Sequence, residues 1–208
     1  TLDEDPVDAI VDNNGYAAAS IQGPHHRPRD HNTALGNFAL LGNTDGSANT
    51  AVGHLALWLN TTGDSNTATG TQALASNTEG KYNTASGYLA LWFNITGSWN
   101  TAVGMLALRS NTEGDHNTAS GVSALLLNTT GHSNTATGSD ALNSNTTGSS
   151  NTASGRQALY ENTEGFDNTA NGTQALNSNT TGHFNTASGP GALKPNTTGP
   201  GNTAIGPD

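Results

Sequence analysis

The chain has no cysteine and few basic residues; six Lys plus Arg against sixteen Asp plus Glu leave a formal net charge of −10. Without cysteine there is no disulfide pattern to report a redox compartment, and thiolate metal sites are excluded. The negative balance argues against nucleic acid, whose phosphates call for basic side chains, and against an anionic membrane surface. No run of eighteen apolar residues exists, so no segment reads as a membrane-spanning helix and no membrane insertion is expected. Apolar residues make up 32 % of the chain, below the roughly 45–50 % of globular domains, so a large central core is not expected either. The first residue is Thr1 rather than Met, which fits a processed product.

What the chain has instead is one phrase said many times. Asn-Thr-Ala-x-Gly-x-x-Ala-Leu-x-x-Asn-Thr-(Thr/Glu)-Gly-x-x begins at Asn32 and returns every seventeen residues, at Asn49, Asn66, Asn83, Asn100, Asn117, Asn134, Asn151, Asn168 and Asn185. Ten full copies fill 32–201, and a partial eleventh runs from Asn202 to Gly206. A fixed short period is the mark of a solenoid, in which each unit contacts only its neighbours. Two Gly and a high density of Asn and Thr per unit disfavour helix. Thr-Ala-x and Ala-Leu-x-x are long enough for short strands, and Gly36 and Gly46 read as turns that need positive φ. The expectation is an all-β, parallel β-solenoid, 32–208, built from ten 17-residue repeats plus a partial eleventh. Coils about 4.8 Å apart would make a rod roughly 50 Å long, or half that if two repeats formed one coil. The recurrent Leu (Leu40 to Leu193) with its two Ala forms the expected core. The Asn at repeat positions 1 and 12 are expected to stack as side-chain amide ladders.

Residues 1–31 lie outside the array, as an N-terminal extension. Val7 to Val11 and Tyr16 to Ile21 are strand-sized pieces separated by Asn13-Asn14-Gly15. Such a segment reads either as a cap over the first coil or as a strand given to a neighbouring molecule. His25, His26 and His31 lead into the array as a weak metal motif, and no metal or other cofactor is expected.

The repeats differ at their variable positions. Units one to six carry Phe38, Leu41, Leu55, Trp58, Leu59, Leu89, Trp92, Phe93, Leu106, Leu126 and Leu127, where units seven to ten carry mostly polar residues. With one backbone geometry throughout, this predicts an exposed apolar stripe, and such patches mark interfaces. Together with Val7, Ile10 and Val11 these residues form the expected subunit interface, unless the N-terminal segment folds over the stripe within one molecule. Trp58-Leu59, Trp92-Phe93 and Leu126-Leu127 are spaced by thirty-four, a second, two-unit period. The array stops a third of the way through a unit, which reads as an open end suited to head-to-tail joining, or as one fragment of a longer chain.

Asn60, Asn94, Asn128, Asn145, Asn179 and Asn196 open Asn-x-Ser/Thr motifs, N-glycosylation acceptors in form, although Asn-Thr-Thr-Gly also reads simply as turn chemistry. No nucleophile–base set, phosphate loop or spaced carboxylate pair is present, so no catalytic residue and no enzyme is expected. Rows of Thr starting at Thr33 and Thr44 raise ice binding as a distant possibility.

Asn-Thr-Ala-Val-Gly-x-x-Ala-Leu in series resembles the head repeats of trimeric autotransporter adhesins and related bacterial and phage fibre proteins. That resemblance covers about 85 % of the chain; it implies a left-handed parallel β-roll displayed outside the cell, often as a trimer. The unit here has seventeen residues rather than about fourteen, and neither a coiled-coil stalk nor a membrane anchor accompanies it. The combined expectation is an extracellular or cell-surface structural subunit that assembles with itself, head to tail, into a filament or fibre. The alternative is an adhesin head or phage fibre module with a surface glycan or receptor as partner.

Overall fold

The computed structural model describes residues 10–11, 17–18 and 31–207. Two short strands, β1 (Ile10–Val11) and β2 (Ala17–Ala18), pair antiparallel, and β1 lies beside the first strand of the array. They fall inside the two pieces expected to be strands. Eleven three-residue strands follow, from β3 (Thr33–Leu35) and β4 (Thr50–Val52) to β13 (Thr203–Ile205), one per repeat. They form a single parallel sheet in sequence order, with each residue paired to the one seventeen positions on. One repeat is therefore one coil, and the thirty-four-residue coil is excluded. Coils 1 to 10 below are the ten full repeats.

Inside each coil the packed column is thin. The Ala at positions 3 and 8 and the Leu at position 9 are fully buried through the middle of the rod, as at Ala102, Ala107 and Leu108. Beside them the Asn at positions 1 and 12 are equally buried. Position 12 is an amide ladder as expected: Asn145 donates from Nδ2 to Oδ1 of Asn128 (2.7 Å), and Asn128 donates to Asn111 in the same way (2.7 Å). Position 1 is different. There the side-chain oxygen accepts the backbone N–H of the next coil's Asn, as from Asn134 N to Asn117 Oδ1 (3.0 Å), with amide-to-amide contact as a longer supplement in some coils. Both side chains then converge on one carbonyl within the coil: Asn117 Nδ2 and Asn128 Nδ2 donate to Gly131 O at 2.8 and 2.9 Å.

The two Gly of each unit serve separate purposes. Gly36 has φ 139° and its equivalents in every coil are likewise in the left-handed half of the map, as expected. Gly46 and its equivalents are not at positive φ; the expectation for them is corrected. They are Gly because of crowding: a Cβ on Gly97 would stand 2.6 Å from both Asn94 Oδ1 and Gly114 O. The left-handed conformation falls instead on ordinary residues at positions 7, 9 and 17, such as Leu106 (62°), Leu108 (51°) and Trp99 (56°). A β-branched side chain is strained there. In this Thr-rich chain none of these positions holds Val, Ile or Thr, which explains why the core residue is always Leu.

Coil 10 is modified where it would address a further coil. In earlier coils the position-11 N–H donates to the next coil, as from Gly42 N to Trp58 O (2.8 Å), and the position-16 N–H does so in several, as from Ser98 N to Asp115 Oδ1 (2.6 Å). Coil 10 carries Pro195 and Pro200 at these two positions, and proline has no backbone N–H, so both donors are absent.

The polar column makes a specific prediction. Asn128→Ala leaves Asn145 Nδ2 and Asn111 Oδ1 without their ladder partners in a dry interior, at a cost of about 1–3 kcal/mol per unpaired group. Chemical denaturation should show that loss, whereas Thr130→Ala on the exposed surface should stay within about 0.5 kcal/mol of wild type. Equal effects would show that the ladder is not a principal source of stability.

Candidate interaction faces

Because the coils are in register, each repeat position forms a row along the rod, and the rows can be read as faces. Positions 7, 10 and 11 of coils 1 to 6 carry all of the large apolar array residues named from the sequence. Phe38, Leu41, Trp58, Leu59, Phe93 and Leu127 are exposed; Leu55, Trp92, Leu106 and Leu126 are half-buried. Leu89 is an exception: it is buried, at 9 % exposure, and cannot serve as a free contact residue. Val7 lies outside the described residues, and for Ile10 and Val11 only the backbone strand is described.

The two-unit period sets bulky pairs at positions 10 and 11 between coils with smaller or charged ones. Trp92 and Phe93, with ring centroids 4.2 Å apart, are flanked by Ala75-Ser76 on one side and Arg109-Ser110 on the other. The Arg109 guanidinium lies 5.1 Å from the Trp92 centroid and 5.6 Å from that of Phe93, a cation–π arrangement that covers part of both rings. Arg109 is the one Asp, Glu, Lys or Arg residue at positions 6, 7, 10 and 11 in coils 1 to 6; the others, Asp45, Asp64, Glu79, Lys81, Glu113 and Asp115, occupy positions 14 and 16. In coils 7 to 10 the apolar rows give way to Asp140, Arg156, Glu161 and Lys194, with half-buried Tyr160 as the one large ring left on them.

Several exposed apolar residues lie beyond those that the sequence reading names. Tyr88, Met105 and Val122 extend the stripe at position 6 of coils 4 to 6. At position 17, Tyr82, Trp99 and His116 form a ladder, with centroids 5.5 and 5.0 Å apart and planes within 15° and 3° of parallel. Phe166 and His183 stack similarly in coils 8 and 9 (4.7 Å, 6°). The signal for them is present in the sequence, since each set recurs at intervals of seventeen.

The six Asn-x-Ser/Thr motifs named from the sequence fall on the position-12 ladder; a seventh, Asn171-Gly172-Thr173, lies at position 4, where Asn171 is exposed. Asn60, Asn94, Asn128, Asn145 and Asn179 are fully buried, and Asn196 is half-buried and bonded in the same pattern. Their Nδ2 atoms donate both to the preceding coil and to the turn carbonyl, leaving no hydrogen or space for a glycan on the folded coil. The turn reading of Asn-Thr-Thr-Gly holds, and the glycan-acceptor reading of these six residues is corrected. His25 and His26 lie outside the described residues; among the described residues no three His, Cys, Asp or Glu cluster as a metal site, and no helix is long and apolar enough to cross a membrane. No family model, curated relative or solved structure matches the chain.

Among the described residues the charged side of the rod has one ion pair. Lys81 donates to Asp64 at 2.7 Å across adjacent coils, and Ser47 donates to the same carboxylate from N (2.9 Å) and Oγ (3.2 Å). Partial burial pushes the Asp64 carboxyl up, but the Lys81 ammonium and the Ser47 donors outweigh it and hold the group below its ordinary value, while the carboxylate raises Lys81. The stabilisation from Asp64 is therefore complete above the unfolded carboxyl pKa of about 3.9 and is lost as pH falls through the lower folded value. Lys81→Ala is expected to lower the melting temperature slightly at pH 6 and to have almost no effect at pH 2; an equal drop at both would contradict the pairing.

Proposed function

We propose that this chain is a structural subunit of an extracellular filament or fibre, joined to further copies of itself through the apolar face of coils 1 to 6 and the N-terminal segment. The observation that carries this reading is the partition of that face. On a rod whose backbone repeats without change, exposed Phe38, Trp58, Leu59, Phe93 and Leu127 are gathered on six coils and absent from the next four. Charge is sparse on the same rows and concentrated at positions 14 and 16. Exposed aromatic residues with few charges around them are the composition of a protein–protein contact centre. The fold needs none of these side chains, because positions 10 and 11 accept Ala-Ser and Asn-Ser in other coils. The resemblance to adhesin and fibre repeats supports display outside the cell. A rigid rod with one adhesive side and a separate strand-forming segment has the parts that a heterologous, non-closing contact requires.

The test is electron microscopy of the purified chain at neutral pH without ligand, beside a Trp58→Ser, Phe93→Ser double variant. Long filaments from the wild type, and single rods with unchanged circular dichroism from the variant, are expected. Filaments that persist in the variant would remove the apolar face from the assembly. A discrete trimer in place of filaments would favour an adhesin head with a surface glycan or receptor as its partner.

A further inference from the structure

Two Thr rows run the length of the rod, and the structure treats them differently. At position 13 the hydroxyl ties one coil to the next. Thr61, Thr129 and Thr146 each donate from Oγ1 to the backbone carbonyl of the next coil's position 13, at 2.9, 3.0 and 3.1 Å. That row is spent on coil stacking, and it tolerates Ile95. At position 2, Thr fills all eleven strands from Thr33 to Thr203, and from Thr67 onward every one is exposed. From Thr50 to Thr203 none of these hydroxyls has a hydrogen-bond partner among the described residues.

The fold does not explain that uniformity. Two residues along the same strands, position 4 points outward too and accepts Leu, Val, Thr, Ser, Asn and Ile. A strand position that only had to be β-forming would vary in the same way. What position 2 retains in every coil is one β-branched side chain with a methyl and a hydroxyl, which has a stiff χ1 and is set by an in-register sheet at a spacing of about 4.8 Å. Across positions 2 and 4 of all eleven strands there is no charged and no aromatic residue, on a chain of net charge −10.

We propose that this sheet face binds ice. The surface of ice is uncharged, extends in two dimensions and presents donors, acceptors and small hollows at a fixed repeat close to the strand spacing, so a regular row of hydroxyls and methyls complements it. A polysaccharide would call for aromatic platforms and a protein partner for large anchors; the sheet face between its end strands has neither. The side chains proposed for self-assembly sit at positions 7, 10 and 11, outside the strands, so this inference does not rest on the proposed filament.

The full chain, at a concentration where it is monodisperse, is tested by thermal hysteresis and by adsorption of amine-labelled protein to a single ice crystal. A measurable freezing gap and labelled crystal planes are expected. Thr101→Tyr with Thr118→Tyr should reduce the gap at least tenfold while circular dichroism and melting are unchanged. Thr130→Tyr with Thr147→Tyr, exposed but off the sheet, should leave it intact. Should the first pair fail to fold, Thr101→Lys takes its place. No hysteresis and no adsorption by the wild type would overturn the proposal, as would equal activity in the sheet variant or equal loss in the off-sheet control.

Discussion

Everything in this molecule depends on how polar groups are satisfied in its interior. A coil of seventeen residues encloses too little volume for a large apolar core; Ala, Ala and Leu are what fits. The remaining interior is filled by two Asn whose amides close on the turn carbonyl at position 15 and reach along the rod to the neighbouring coil. Buried amides are costly unless every donor and acceptor is used. Here they are used almost completely, because the same arrangement recurs above and below. The exception is Asn185, whose Nδ2 is buried without a partner at the C-terminal end of the stack; there coil 10 has no complete coil following it among the described residues.

That constraint explains why the repeat length does not drift. An insertion in any one coil would displace its Asn from the ladders on both sides and leave several buried groups unpaired together. The same demand dictates Gly at position 15, where a side chain would collide with the converging amides and the next coil's carbonyl. The turns follow from it too. Closing so small a coil places positions 7, 9 and 17 in left-handed backbone, and the apolar interior then requires an unbranched Cβ at position 9, hence Leu in every coil.

Much of this is legible in the residues, and what is not has identifiable causes. The period implies the parallel, in-register sheet, since only stacking of equivalent positions rewards strict spacing. The recurring Leu and Ala announce the core, and the buried Asn at position 12 follows from their repetition. Coil size is obscured by the alternation of Trp58, Trp92 and Leu126, which concerns side chains on the outer surface and says nothing of closure. Gly46 misleads because crowding and positive φ demand the same residue. The Asn-x-Thr motifs mislead because the turn chemistry of Asn-Thr-Thr-Gly coincides with an acceptor sequence, and only burial separates the two. The position-17 ladder of Tyr82, Trp99 and His116 is hidden by its mixture of residue types, although its spacing is as regular as that of the aliphatic rows.

In an array of this kind the coils themselves act as an internal comparison, because one backbone environment is presented ten times over. Where a position is buried or bonded, as with Leu108 or Thr129, uniformity needs no further cause. Where a position is exposed and its occupants vary, as at position 14, no specific demand acts on it. Two classes remain. Positions 10 and 11 are rich in large apolar side chains in one block of coils and polar in another, which the backbone cannot explain; a contact confined to that block can. Position 2 is invariant in all eleven strands, exposed from Thr67 onward and, among the described residues, unbonded from Thr50 onward; the proposed periodic partner would act equally on every strand. The two patterns thus point to two different surfaces, one local and one extending along the length, and nothing in the fold forces either.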